Sequence, residues 1–194
     1  MACTALTKGR GLDCNRISGG VKKIFFSVFD EDVSYTYDAT HKLEIDAIDW
    51  NATTIYEYVM PLGVASVTDT ITGSRENGTI FYTPTVNIML NRLTKEDQNE
   101  IKLLGATKVR IFAELNETLP LNGHNVFIAL GMSNGMELNA GTMDSGAGFG
   151  DRNGYTLTFD GLEPIPFAML EDYTTIPWDQ AGFINEAGTF PTTA

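Results

Sequence analysis

The segment Gly131-Met132-Ser133-Asn134-Gly135 has the G-x-S-x-G spacing that presents a serine nucleophile on a sharp turn, and it directly follows the apolar run VFIAL at 126–130. A hydrolase of that kind needs an acid and then a histidine later in the chain to take the hydroxyl proton. Both histidines, His41 and His124, precede Ser133, so the pattern reads as a flexible turn. Gly146-Ala147-Gly148-Phe149-Gly150 resembles the start of a dinucleotide fingerprint, but Asp151 stands where the third glycine belongs and no helical pattern follows. A phosphate-cradling loop ending in Gly-Lys-Ser/Thr is absent. Asp151-Arg152-Asn153-Gly154 begins like a calcium loop, yet the twelfth position, which must hold a bidentate Glu, is Leu162 counted from Asp151 and Tyr155 counted from Asp144.

Metal fingers require closely spaced ligand pairs, whereas Cys3 and Cys14 have ten residues between them and the histidines are isolated in sequence. The cysteines read as ordinary reduced thiols. Carboxylate pairs such as Glu114 with Glu117, or the run Asp30-Glu31-Asp32, arise by chance in a chain this acidic and give no specific support to glycosidase chemistry. The expectation is therefore no catalytic residue, no cofactor and no metal. What remains for the glycine-rich stretch 131–154 is a mechanical use. Read as a long loop without secondary structure, it suits an interface, with Gly146, Gly148, Phe149 and Gly150 allowing close approach of another chain.

The charge balance points the same way. Thirteen basic residues against 25 acidic ones give a formal net charge of −12 over 194 residues, and no basic run exceeds Lys22-Lys23. Tight nucleic-acid binding needs clustered cations and is disfavoured, while an acidic surface keeps a concentrated protein soluble and repels a passing polyanion. No apolar stretch approaches the roughly 20 residues of a membrane helix, and the first sixteen residues lack a secretory apolar core. A chain made and kept in the cytosol is expected, with the triplets at Asn51, Asn77 and Asn116 serving as polar turns instead of glycosylation acceptors.

The elements that must position these residues are mostly strands. β-Branched and aromatic runs or period-two alternation mark 21–29, 34–40, 43–50, 54–60, 66–72, 79–90, 108–115, 124–132 and 155–163. Asn77-Gly78 marks a hairpin between the arms SVTDTIT and TIFYTPTVNIML, and Pro84, lacking a donor, predicts an edge position or a bulge. The one helix is expected over 95–104, capped by Thr94 with Asp97 three residues on and closed by Gly105. Pro164 and Pro166 end the last strand. The pattern predicts a mainly β fold with one helix over 21–170, flanked by an N-terminal arm at 1–20 and a C-terminal arm at 171–194. Tyr173, Trp178, Phe183 and Phe190 make the latter arm too aromatic for a disordered tail, so they dock either on their own chain or on a neighbouring copy.

The order of pieces GTIFYTPTVNIMLNRL, TKEDQNEIKLL, KVRIFAEL, NVFIALG and GDRNGYTLTFDGLEPIPF resembles the major tail tube proteins of tailed bacteriophages, over roughly residues 20 to 170. The resemblance implies a β-sandwich or barrel with one flanking α-helix, in a virion structural protein without catalytic residues that is assembled in the host cytoplasm. Its subunits would form rings, commonly hexameric, stacked into a tail tube for DNA ejection. It also implies that its partners are copies of itself and other phage tail proteins, with viral DNA passing unbound and no membrane involved. Tyr173, Trp178, Phe183 and Phe190, with the glycine-rich residues named above, are then the candidate subunit contacts. The long stacking hairpin of that family falls best on residues 58–80. A neck or collar ring, another capsid-associated component, or a non-viral β-sandwich binding module are the alternatives.

Overall fold

The run Ile24-Phe25-Phe26 does not alternate in polarity because the strand that carries it is covered on both faces. In the computed structural model, which describes residue 10, residues 18–118, 123–170, 177–178 and the backbone of 182–184, Ile24 and Phe26 enter one core and Phe25 enters another. That strand, β1 (Val21–Val28), sits inside a six-stranded sheet with β4 (Thr54–Val59), β7 (Val109–Thr118), β8 (Asn125–Leu130), β11 (Ala168–Leu170) and β12 (Gly182–Ile184), in the order β11-β8-β7-β1-β4-β12. β7 and β8 divide in the same way. Val109, Ile111, Ala113, Val126, Ile128 and Leu130 face the first core, while Phe112, Phe127 and Ala129 face the second. Continuous apolar runs are what a sheet buried on both faces requires.

The first core is closed by a four-stranded sheet, ordered β5-β6-β10-β9, made of β5 (Ser66–Ser74), β6 (Thr79–Asn91), β10 (Gly154–Asp160) and β9 (Glu137–Asp144). Val86, Ile88, Tyr155, Leu157 and Phe159 supply its inner face. The second core is closed by the hairpin of β2 (Ser34–Tyr37) and β3 (Ile45–Asp49), together with Trp50 and Trp178. The architecture is thus a β-sandwich with an extra layer, and the sheets do not close into a barrel.

The helix α1 (Lys95–Leu104) lies where its sequence places it. Thr94 accepts the Asp97 amide at 3.1 Å, Ile101 is buried, and Tyr155 Oη donates to Thr94 O at 3.0 Å, tying the helix start to β10. Gly105 closes it as expected, in right-handed backbone with its N–H bonded to Ile101 O at 2.9 Å.

Two expectations are corrected. Pro84 lies in an interior strand. β10 pairs with β6 only from Thr85 to Asn91, so the missing donor falls just past the end of that ladder, where Gly161 N still reaches Pro84 O at 3.2 Å. The stretch 131–154 is not one long loop, because β9 occupies its middle and pairs with β10 from Asp144 opposite Gly154 to Glu137 opposite Asp160.

Candidate self-association surfaces

The four-stranded sheet ends in two strands that each have a single neighbour among the described residues: β5 pairs with β6, and β9 with β10. Nearly every residue of β9 is exposed, and most of β5 is too. Alternation of the antiparallel ladder assigns the free groups. Arg92 N to Asn153 O and Gly161 N to Pro84 O place the odd residues of β10 toward β6. The even ones, with Asp144, Thr142 and Ala140 opposite them, therefore form the bonds to β9. Gly141 and Met143 consequently direct their main-chain groups outward. By the same counting Asp69, Ile71 and Gly73 do so on β5. Rows of unmatched N–H and C=O groups on an exposed strand are templates for pairing with another chain.

The outer face of this sheet is polar. Ser66, Asn87 and Thr158 lie in one cross-strand row, with Thr158 Oγ1 donating to Asn87 Oδ1 at 2.7 Å, and Thr68, Thr85 and Asp160 form the next row. The four strands contain Asp69, Glu137, Asp144 and Asp160 and no lysine or arginine. The nearby Arg152 is engaged, donating to Tyr155 O at 3.0 Å and Thr156 Oγ1 at 2.6 Å.

The glycine-rich residues fall at one end of this sheet, in the β9–β10 connection. Phe149 is fully exposed, the most exposed large apolar side chain described. Its loop is tied internally: Asp151 Oδ2 accepts the amides of Ala147 at 3.0 Å and Gly148 at 2.6 Å. Gly146 has φ +70°, and a Cβ there would stand 2.8 Å from Asp151 Cβ. The two amide bonds, Gly148 first, hold the Asp151 carboxyl below the usual carboxylate range. A depressed folded value means that the bonds contribute above the ordinary carboxylate pKa and are lost as pH falls through the depressed one. Amide NMR shifts of Ala147 and Gly148 are therefore expected to titrate together at a pH below that of a free aspartate. A midpoint at the ordinary value would show that the loop is not held this way.

The serine motif forms a turn held by a buried carboxylate. Gly131 and Gly135 have φ +70° and +79°, and between them the Ser133 and Asn134 amides donate to the buried Glu163 carboxylate at 3.1 and 2.9 Å. Arg110, also buried, clamps the turn from the other side. Its Nη1 donates to Asp30 O at 2.8 Å and its Nε to Met132 O at 3.4 Å, while its guanidinium lies 4.3 Å from the Phe29 ring centre. Burial lowers its pKa from the ordinary guanidinium value. Neither residue is legible in the sequence, since Arg110 within the apolar strand β7 and Glu163 just past the end of β10 gain partners only when the turn they hold is in place.

Of the C-terminal candidates, Trp178 is 1% exposed and packs on Phe25, Phe112, Trp50 and Phe127 at ring separations of 5.1, 5.0, 5.5 and 5.7 Å. The ring is enclosed by its own chain, and a subunit contact through it has no surface to use. The backbone of Phe183 lies in β12, paired in parallel with Ile55 of β4. Tyr173, Phe190, Cys3 and Cys14 lie outside the described residues. His41 is not isolated, as its spacing suggested. Its Nδ1 stands 3.2 Å from Glu44 Oε2 and 3.6 Å from Asp38 Oδ1 across the β2–β3 connection.

No helix among the described residues is long and apolar enough to cross a membrane. No family model, curated protein or solved structure matches the chain.

Proposed function

We propose that this chain is a virion structural protein that closes into rings through the edges of its four-stranded sheet, the rings stacking into a phage tail tube that conducts DNA. The observation that carries the reading is a sheet whose two edge strands each have one neighbour among the described residues, with a polar outer face whose strands contain no lysine or arginine. Its neighbouring strands alternate in direction, so β5 and β9 run oppositely. Copies related by rotation about an axis along the strands therefore meet edge to edge as an antiparallel pair, which is the geometry of a head-to-tail interface that closes. The sheet is also staggered: β5 spans the level of Thr79–Asn87 and β10 that of Gly154–Asp160 opposite Asn91–Thr85. Such stagger is the shear that a closed sheet needs.

A duplex carries one negative charge per roughly 1.7 Å. A wall of threonine, asparagine and a few carboxylates lets it slide, whereas cations repeated at every ring would trap it. Rings of six, and tail proteins as further partners, follow from the resemblance. The binding-module alternative is favoured by Trp50, Trp178 or tyrosine clusters at an exposed groove; both tryptophans are buried, while Tyr56 and Tyr58 line a hollow between α1 and β4.

The test is negative-stain electron microscopy with sedimentation velocity on the purified chain. Tubes or stacked rings of uniform width are expected. Rings that never stack would move the reading to a neck, collar or capsid-associated component, and a monomer at every concentration would overturn it.

A further inference from the structure

The hollow between α1 and β4 has a volume of about 410 Å³, within the roughly 300–1,000 Å³ of small-molecule sites. One side is aromatic and apolar, made by Tyr56, Tyr58 and Leu90. The other is the acidic first half of the helix, which contributes Glu96, Asp97 and Glu100. These walls are fixed before anything enters. Tyr58 packs edge-on against Phe26 with ring centres 5.0 Å apart, and Leu90 packs against the first core. The helix is held by its Thr94 cap, by buried Ile101 and by the bond from Tyr155 to Thr94. A pre-formed concavity spares a ligand the cost of ordering its site.

With Glu57, four carboxylates line the hollow, and an anion is repelled. Glu57 is paired with Lys23 and Glu96 with Lys95 at 3.4 Å, but Asp97 and Glu100 have no ion pair among the described residues. Both act on the Tyr58 hydroxyl: burial first, then the charges of Glu100 and Asp97, push it up to about 12. A metal ion does not suit this set, because three or more such ligand atoms within 4.8 Å of one another occur, among the described residues, at Asp38, His41 and Glu44 on the β2–β3 connection. The carboxylates of the hollow do not converge in that way. Separated carboxylates beside aromatic and aliphatic walls fit a cation whose charges are spaced along a hydrocarbon chain. Asp97 and Glu100 stand one helical turn apart, about 5–6 Å between Cβ atoms, a spacing that amines joined by a short methylene run can match. Tyrosine faces attract ammonium groups, and methylenes gain from burial against an apolar wall.

We propose that the hollow binds a linear aliphatic polyamine, with Asp97 and Glu100 each taking an ammonium group and the methylene chain lying against Tyr56, Tyr58 and Leu90. All of these contacts lie within one chain, so the site does not depend on the assembly proposed above.

Isothermal titration calorimetry of the full chain with spermidine tests it, at fixed ionic strength so that screening is constant. One spermidine per chain is expected, held about tenfold or more tighter than butylamine, which carries a single charge. D97N/E100Q preserves size and removes both charges, and it is expected to weaken spermidine about tenfold or more. E100Q alone leaves the first helical turn intact and alters an exposed residue, so it is expected to melt as the parent chain does and to lose about threefold or more. E31Q/E76Q, which removes two exposed carboxylates outside the hollow, is expected to keep the parent affinity within about twofold. Equal losses from the two double variants would show that spermidine merely follows the net charge of −12, and would overturn the site. So would the absence of saturable binding by the parent, parent-like binding by D97N/E100Q, or displacement of spermidine by Mg²⁺ at equal concentration of charge.

Discussion

Replacing Trp178 with alanine is expected to lower stability by about 3–5 kcal/mol, the usual cost of deleting a large buried aromatic when the site cannot collapse. Four aromatic rings surround it at 5.0–5.7 Å, and all four belong to elements already fixed by other contacts: Phe25 on β1, Phe112 on β7, Phe127 on β8 and Trp50 after β3. The neighbours cannot close in, so a cavity of indole size remains, and the tilted and edge-on ring pairs lose a further increment beyond buried area. For a domain of this size the loss corresponds to a drop in melting temperature on the order of 10 °C. Chemical denaturation of W178A beside Phe149→Ala decides the matter. Phe149 is fully exposed, and its truncation is expected to stay within about 0.5 kcal/mol. If the two variants were equally stable, the 177–178 segment would not be anchored in the core, and the C-terminal arm would be free to serve another copy.

A second large effect is expected from Met143→Pro, read in assembly and not in folding. By ladder alternation the Met143 N–H faces away from β10, so proline removes no bond from the subunit's own sheet. In a ring that N–H pairs with the neighbour's β5, and its loss plus the bulk of the proline ring costs each interface about 1.4 kcal/mol or more, a factor of ten in association. The exposed Met143 side chain contributes little to the core. M143P is therefore expected to melt near the parent chain yet remain a single subunit at concentrations where the parent forms rings. Should the proline strain β9, Met143→Lys keeps the backbone donor and places a charge on the edge, a device that natural sheets use against pairing. Rings from both variants would sink the edge-pairing model, because an interface on these strands cannot ignore both changes.

The two arguments draw on opposite properties of the chain's ends and edges. Trp178 shows that aromatics in an aperiodic tail can belong to the chain's own core, whereas β9 and β5 show polar strands whose main-chain groups face outward. The surfaces left for the proposed assembly are the sheet edges and the exposed Phe149 loop.

Much of this was determined by the sequence alone. The helix at 95–104 with its Thr94 cap, the hairpin turning at Asn77-Gly78, and the strands of alternating or continuous apolar character follow from local propensity and periodicity, which act over a few residues. The composition likewise determined a β-rich, acidic chain. Three features were decided only by tertiary structure. ELNAGTMD is a strand because β10 offers it an edge to pair with, and a strand exposed on nearly all positions has no apolar period to read. Trp178 and the parallel strand β12 attach to a surface assembled from β1, β4, β7 and β8, all far away in sequence. Arg110 and Glu163 acquire a purpose only when the turn at 131–135 is folded between them. In each case the deciding interaction is long-range, so no local window of the sequence contains the partner that fixes the outcome.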